Sequence, residues 1–415
     1  MLRKILILAL ACLGWNSTSG AAPYQIGPTR SLQSVSALPQ LHPGDVVEID
    51  SGTYKEVMRW TSSGTAAQPI VIRGVGAPVF DADGLRVDGV LPRPRAVFQI
   101  EGDFVTVENI EFRNARNGDN GAGIRITSAN NVTVRGCRIT QCDMGIMCDN
   151  NRNLIIEACE IAFNGTPLYN GYSHNLYLGG QNTTVRFCSI HDALYGQNFK
   201  SRGHYTELLY NSIADSQDGE VGLVDAAETR PANSHAVMIG NVIVSKPRQN
   251  GYNSGRFIQF GQDSGGDHNG ILFAFNNTFV AGDGRIQFLS ANASGAKIIA
   301  DNNVFYGSDK ILGVGAGVRG SNNWMQASAL VPESFAATVQ GASPGFVNRA
   351  QGDFHLNSAS ACRDHGLNTL AFLDEEGLSH PGAPTEEYVA PMRRRTRQND
   401  GRLDIGAFEY FLADH

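Results

Sequence analysis

One hydrophobic octapeptide recurs along the middle of the chain and leaves few folds open. It reads VTVENIEF at 105–112, VTVRGCRI at 132–139, LIIEACEI at 154–161, TTVRFCSI at 183–190, TELLYNSI at 206–213 and AVMIGNVI at 236–243, with looser copies at 272–279 and 298–305. The closing residues Ile139, Ile161, Ile190, Ile213 and Ile243 are spaced by 22, 29, 23 and 30. A unit near 22 residues with variable insertions is the signature of a solenoid. Within each copy apolar residues alternate and then skip one position, as in Val132, Val134, Cys137 and Ile139. Alternation means strand, and the skip means a bend joining two short strands. These features predict an all-β chain whose repeats are coils of a parallel β-helix. One position after the bend is Cys137, Cys159 and Cys188, then Asn211, Asn241, Asn277 and Asn303. Stacked rungs lie roughly 4.8 Å apart, so these side chains are expected to form an internal ladder.

A solenoid grows in one dimension, so 415 residues fit a single elongated domain. Residues 1–21 read as a secretory signal, with Arg3 and Lys4 before an apolar run at 5–13 and small residues around Ser19 and Ala21. The apolar run is too short to span a bilayer. Ala9-Leu10-Ala11-Cys12 is a weak lipoprotein box behind a short apolar stretch, so anchoring is not expected. The expectation is a secreted or periplasmic monomer with no membrane span. Residues 22–345 are assigned to the helix, with 22–45 as its N-terminal cap, and 346–415 to a C-terminal extension packed against it. Removing Arg3 and Lys4 from 33 basic residues leaves 31 against 40 acidic ones, a net charge of −9. That balance argues against a nucleic-acid partner and leaves room for a local basic groove facing an acidic polysaccharide. The cysteine ladder reads as buried packing, and Cys142 with Cys148 is a candidate disulfide. The run Arg393, Arg394, Arg395 and Arg397 reads chiefly as a solvated segment, with a polysaccharide contact as the alternative.

Insertions indicate where chemistry would sit. The long intervals imply extra loops near 162–173, 214–235, 245–256 and 261–270, and solenoid insertions tend to gather on one binding face. Between them lie SHNLYLGG (173–180) and GQNFKSRGHY (196–205). Tyr177 and Lys200 are 23 apart, one coil, and should stack on adjacent rungs. With Leu176 and Phe199 inward, alternation places Asn175, Tyr177, Asn198, Lys200 and Arg202 outward, with His174 beside the inserted loop. The next coil supplies Asp218, Glu220 and Asp225. β-Elimination on a uronic-acid polymer needs a neutralised C5 carboxylate, a base for the C5 proton and a proton for the leaving oxygen. The expected roles are Lys200 as base, Arg202 as carboxylate clamp, and Tyr177 or His174 as proton donor. Asn175, Asn198 and Asp225 are expected to bind substrate. Asp218 and Glu220 are candidate Ca²⁺ ligands, and no other cofactor is expected.

LHPGDVVEIDSGTYKE (41–56) followed by AQPIVIRG (67–74) resembles the first coils of secreted carbohydrate-active β-helices of the alginate lyase and chondroitinase B type. DGRLDIGAFEY (400–410) resembles the terminal motif of many secreted right-handed β-helix proteins. The run from SHNLYLGG through FKSR to the Asp-rich loop resembles bacterial exported right-handed β-helix repeat proteins and, more distantly, polysaccharide lyases. The resemblance implies a Lys base and an Arg on neighbouring rungs. Lys200 matches the Lys, whereas the next coil offers Leu223, and Arg202 is the nearest substitute. The expected function is a polysaccharide lyase, with a non-catalytic polysaccharide-binding protein and a C5-epimerase as alternatives. A polygalacturonan hydrolase is disfavoured, because its Asn-Thr-Asp, Asp-Asp, Gly-His-Gly and Arg-Ile-Lys strings are absent as a set.

Overall fold

A computed structural model describes residues 23–247, 256–282, 286–313 and 317–410. The signal expected at 1–21 lies outside the described residues, as does part of the loop expected at 245–256. Among the described residues the chain winds into three parallel sheets of 13, 12 and 9 strands, and each rung gives one strand to each sheet along most of the axis. The architecture is a parallel β-helix.

The octapeptide supplies the corner between the two longer sheets. In VTVRGCRI the strands are Asn130–Arg135 and Arg138–Thr140, joined by Gly136 and Cys137. Val132, Val134, Cys137 and Ile139 are all buried, which explains the skip: the bend turns two successive odd positions inward. The residue ahead of each ladder position has positive φ, 61° at Gly136, 57° at Tyr210 and 60° at Asn302. A left-handed residue turns the chain sharply here, and the ladder offsets the steric penalty of a side chain. Asn211 Nδ2 donates to Asn241 Oδ1 (3.0 Å), Asn241 to Asn277 (2.8 Å), Asn277 to Asn303 (3.0 Å) and Asn303 to Asn323 (3.1 Å).

At the N-terminal end, Tyr24–Ile26 opens the 13-stranded sheet and a short 3₁₀ turn, Val35–Ala37, follows. Ile26, Val35 and Leu41 are buried against the first rungs. The last rung strand is Val339–Gly341, after which three antiparallel hairpins run from Phe346 to Thr396. The terminal motif docks on the flank: Ala407 and Phe408 pack with Val242, Val280 and Phe354, and Ala407 N–H donates to Thr278 Oγ1 at 3.0 Å. Much of the arginine run is consumed by this packing. Arg394 pairs with Glu386 (3.1 Å), Arg395 with Glu387 (2.7 Å) and the fully buried Arg397 with Glu409 (2.7 Å).

The candidate Cys142–Cys148 disulfide is not formed, and all six described cysteines are free and buried. Cys142 Sγ donates to Thr140 O and Cys148 Sγ to Asn151 Oδ1, both at 3.3 Å, so each thiol has its own partner. Burial pushes both thiols up to about 12, which leaves them unreactive. Among the described residues no helix is long and apolar enough to cross a membrane.

Candidate functional site

The nine-stranded sheet presents one outward row that crosses every rung: Arg59, Gln99, Arg125, Met147, Tyr177, Lys200, Gly222, Gln259 and Ser290. Eight steps at the inter-strand spacing make a track roughly 38 Å long. Strand Leu176–Leu178 pairs with Phe199–Ser201 so that Tyr177 faces Lys200, the register implied by their spacing. Leu176 and Phe199 fill the interior at 0% exposure. The rung partner of Lys200 on its other side is Gly222 rather than Leu223, which points inward.

Tyr177, Lys200, Arg202 and His174 line one cavity of about 640 Å³. Its outer wall is the insertion after Ile161, where Pro167–Tyr169 forms a 3₁₀ turn. Ser173 Oγ accepts from Thr166 N–H (3.0 Å) and closes this loop. The loop leaves Leu168, Tyr169 and Tyr172 exposed at the rim. Arg202 Nε donates to Tyr177 Oη at 2.9 Å, and its Nη1 donates to the carbonyl of Asp225. The His174 ring stacks on Tyr177, with centroids 5.6 Å apart and planes at 17°.

A residue that the spacing does not reveal ties these groups together. Asp263 lies 2.6 Å from Lys200 Nζ through one carboxylate oxygen and 2.8 Å from Arg202 Nη2 through the other. Burial tends to raise this carboxyl, but Lys200, the Ser264 hydroxyl and Arg202 outweigh it and hold it below the usual range. Lys200 reaches Asp263 across the Gly222 rung, and a Cβ at 222 would collide with the Gln197 side chain, 2.7 Å from its Nε2. Asp263 sits in the insertion expected at 261–270, where no strand register exists to place it.

Several expected site residues take other parts. Asn175 and Asn198 do not face outward; both are 0% exposed. They sit at the bend just before their strands, where alternation does not apply. There they form a second internal ladder. Asn164 Nδ2 donates to Asn175 Oδ1 (2.8 Å), Asn175 to Asn198 (2.7 Å) and Asn198 to Glu220 Oε2 (2.7 Å). The substrate-binding expectation for these asparagines is withdrawn. Glu220 terminates that ladder instead of holding Ca²⁺, and burial pushes its carboxyl up to about 8. Asp218 is half-buried in the turn ahead of it. Among the described residues no group of three or more His, Cys, Asp or Glu gathers to hold a metal ion. Asp225 is buried, and its carboxylate accepts from the backbone N–H of Asp263 (2.6 Å), Ser264 (2.9 Å) and Gly266 (2.6 Å). It therefore fixes the loop carrying Asp263 and does not face a ligand. His174 is buried, and its Nδ1 accepts from Gln197 N–H at 3.0 Å. Burial first, then Lys200 and Arg202, hold its pKa well below the ordinary value. A neutral ring with its proton on Nε2 is too weak an acid to protonate a leaving group, so His174 is corrected from proton donor to support for the Tyr177 ring.

Comparison with known proteins agrees on the scaffold. Residues 88–196 match the family model described as "Right handed beta helix region". The crystal structure of pectate lyase Pel9A superposes with a TM-score of 0.60 at 15% identity, covering 93% of this chain and 96% of that one. PfbA, a surface adhesin of Streptococcus pneumoniae, gives 0.54 at 11% identity over 82% and 91%. A rhamnogalacturonan lyase gives 0.44 at 15% identity over 78% and 87%. No curated protein sequence matches the chain. The fold is a right-handed parallel β-helix.

Proposed function

We propose that the protein is a polysaccharide lyase that cleaves a uronic-acid-containing chain by β-elimination in the groove over Tyr177 and Lys200. The observation that carries this reading is the phenol and the ammonium abreast in one outward row, with a guanidinium donating to the phenolic oxygen. Arg202 Nε holds the phenolic oxygen at the groove at 2.9 Å, and Tyr177 is assigned as the base the reaction needs. Lys200 Nζ lies 2.6 Å from Asp263 and is assigned to hold the substrate carboxylate rather than to take the proton. The roles therefore shift from those expected of the sequence. Tyr177 takes the C5 proton, the C5–H electron pair becomes the C4–C5 double bond, and the C4–O bond breaks. Tyr177 then returns its proton to the leaving oxygen. Lys200 and Arg202 stabilise the negative charge that develops on the carboxylate during proton loss. The exposed Tyr169 and Tyr172 at the rim offer flat faces to sugar rings.

The test is ultraviolet absorbance of unsaturated uronate on a panel of alginate, pectate, glycosaminoglycans and bacterial exopolysaccharides. Tyr177→Phe is expected to lower kcat about 10²–10⁴-fold, the range for losing a general acid–base group. Lys200→Met is expected to raise KM as well. Full turnover in Tyr177→Phe would overturn the assignment of the base. Solvent hydrogen exchange at C5 without unsaturated product would replace the lyase by an epimerase, and tight binding with neither would make the groove a binding site.

A further inference from the structure

Among the described residues two arginines are buried, Arg125 and Arg397. Arg397 is neutralised by Glu409 at 2.7 Å. Among the described residues Arg125 forms no ion pair; the fields of Asp149 and Asp119 favour its charge and that of Arg95 opposes it. Burial without a counter-ion is costly, and it lowers the guanidinium's pKa from its ordinary value. One Nη2 contact is to the Asn120 carbonyl at 3.2 Å and the other to Met147 Sδ at 3.0 Å. Its Nε is buried with no acceptor, and Asn120 Oδ1 is buried with no donor. A donor and an acceptor thus stand unmatched on two residues already in contact.

Position gives this pair a purpose. Arg125 stands in the same outward row as Tyr177, two rungs before it with Met147 between, roughly 10 Å along the track. Asn120 and Met147 line the same cavity as Tyr177 and Lys200. The groove-side partner of Arg125 is a thioether, a weak acceptor on a flexible side chain, which a carboxylate readily displaces. We propose that Arg125 and Asn120 form an anion subsite for the carboxylate of a second sugar in the bound chain, with a hydroxyl of that sugar donating to Asn120 Oδ1. The inference rests on the lyase reading of the groove and adds a positioning site to it. Each sugar of a polyuronate carries both groups, whereas a neutral glycan carries only the hydroxyl. The subsite therefore selects for acidic residues away from the bond being broken.

Calorimetry tests this with tetramers of mannuronate, guluronate and galacturonate and their carboxyl-reduced counterparts, on the full chain and on Arg125→Met. The expected result is at least tenfold weaker binding of the acidic tetramer that binds the unmodified protein, and unchanged binding of its reduced form. With polymer, the loss should appear in KM more than in kcat. The melting midpoint of Arg125→Met should hold or rise, because an unpaired buried cation has been removed. A midpoint that falls would show Arg125 to be structural and overturn the proposal. Arg125→Lys, which keeps the charge but lacks Nε, should weaken acidic binding severalfold, and equal affinity there would also overturn it. Turnover that persists with unchanged acidic affinity in Arg125→Met removes the subsite and leaves the lyase. Failure of the unmodified protein to bind or cleave any acidic tetramer removes both.

Discussion

Truncating Asn198 to alanine separates the internal ladder from a surface role. Asn198 Oδ1 accepts from Asn175 Nδ2 (2.7 Å) and Ala193 N–H (3.2 Å), and its Nδ2 donates to Ala214 O and Glu220 Oε2, both at 2.7 Å. Removal strands the Ala193 N–H and one Asn175 N–H inside the helix. Ala214 O keeps a donor from Asp192 N–H at 3.0 Å. Each of the two buried orphans costs about 1–3 kcal/mol, so Asn198→Ala should lose about 2–6 kcal/mol. The assay is urea unfolding followed by far-ultraviolet circular dichroism, with the midpoint shift converted through the common slope. Below its melting range the variant should keep the groove, because Lys200 stays aligned by strand pairing on both sides. A stability change under about 1 kcal/mol together with a raised KM would refute the ladder and restore Asn198 to the substrate surface.

Glu220 gives a pH signature. Its folded pKa of about 8 stands above the ordinary 4.5, so the folded state retains a proton that the unfolded chain releases, and stability falls as pH rises from about 4.5 to about 8. The full shift corresponds to an upper bound of about 5 kcal/mol. Glu220→Gln should flatten this slope, apart from a constant offset for one altered hydrogen bond, and parallel curves of urea midpoint against pH would refute it. Asp263→Asn should release Lys200 and Arg202 from their shared carboxylate. We expect a lower KM for acidic polymer and a lower kcat, because Arg202 loses one of its fixed partners beside Tyr177. The stability loss should be on the order of 1 kcal/mol, because Asp263 is exposed although Lys200 is buried, and an unchanged KM would show that Asp263 does not compete with substrate.

The scaffold was legible because a β-helix is periodic. Hydrophobic alternation, a one-position skip and a coil near 22 residues locate strands and the bend before any contact is known. The same spacing puts Tyr177 beside Lys200. It failed at Asn175 and Asn198, because alternation holds only within a strand and these residues lie one position outside. Their own spacing of 23, followed by 22 to Glu220, was a ladder signal as regular as the one at Cys137–Asn303. Asp263 carried no such signal, since it sits in an insertion whose path depends on three backbone N–H bonds to Asp225.

Sequence alone thus determined the coil, the ladder at its main bend and the register of the groove, all of which follow from local period and from repeated rung spacing. Tertiary structure alone decided which charges meet. Asp263 meets Lys200 and Arg202, burial holds the His174 pKa down, and Arg125 is buried with no ion pair among the described residues. Each of these depends on distances and solvent exclusion between segments many residues apart, which no periodic pattern encodes.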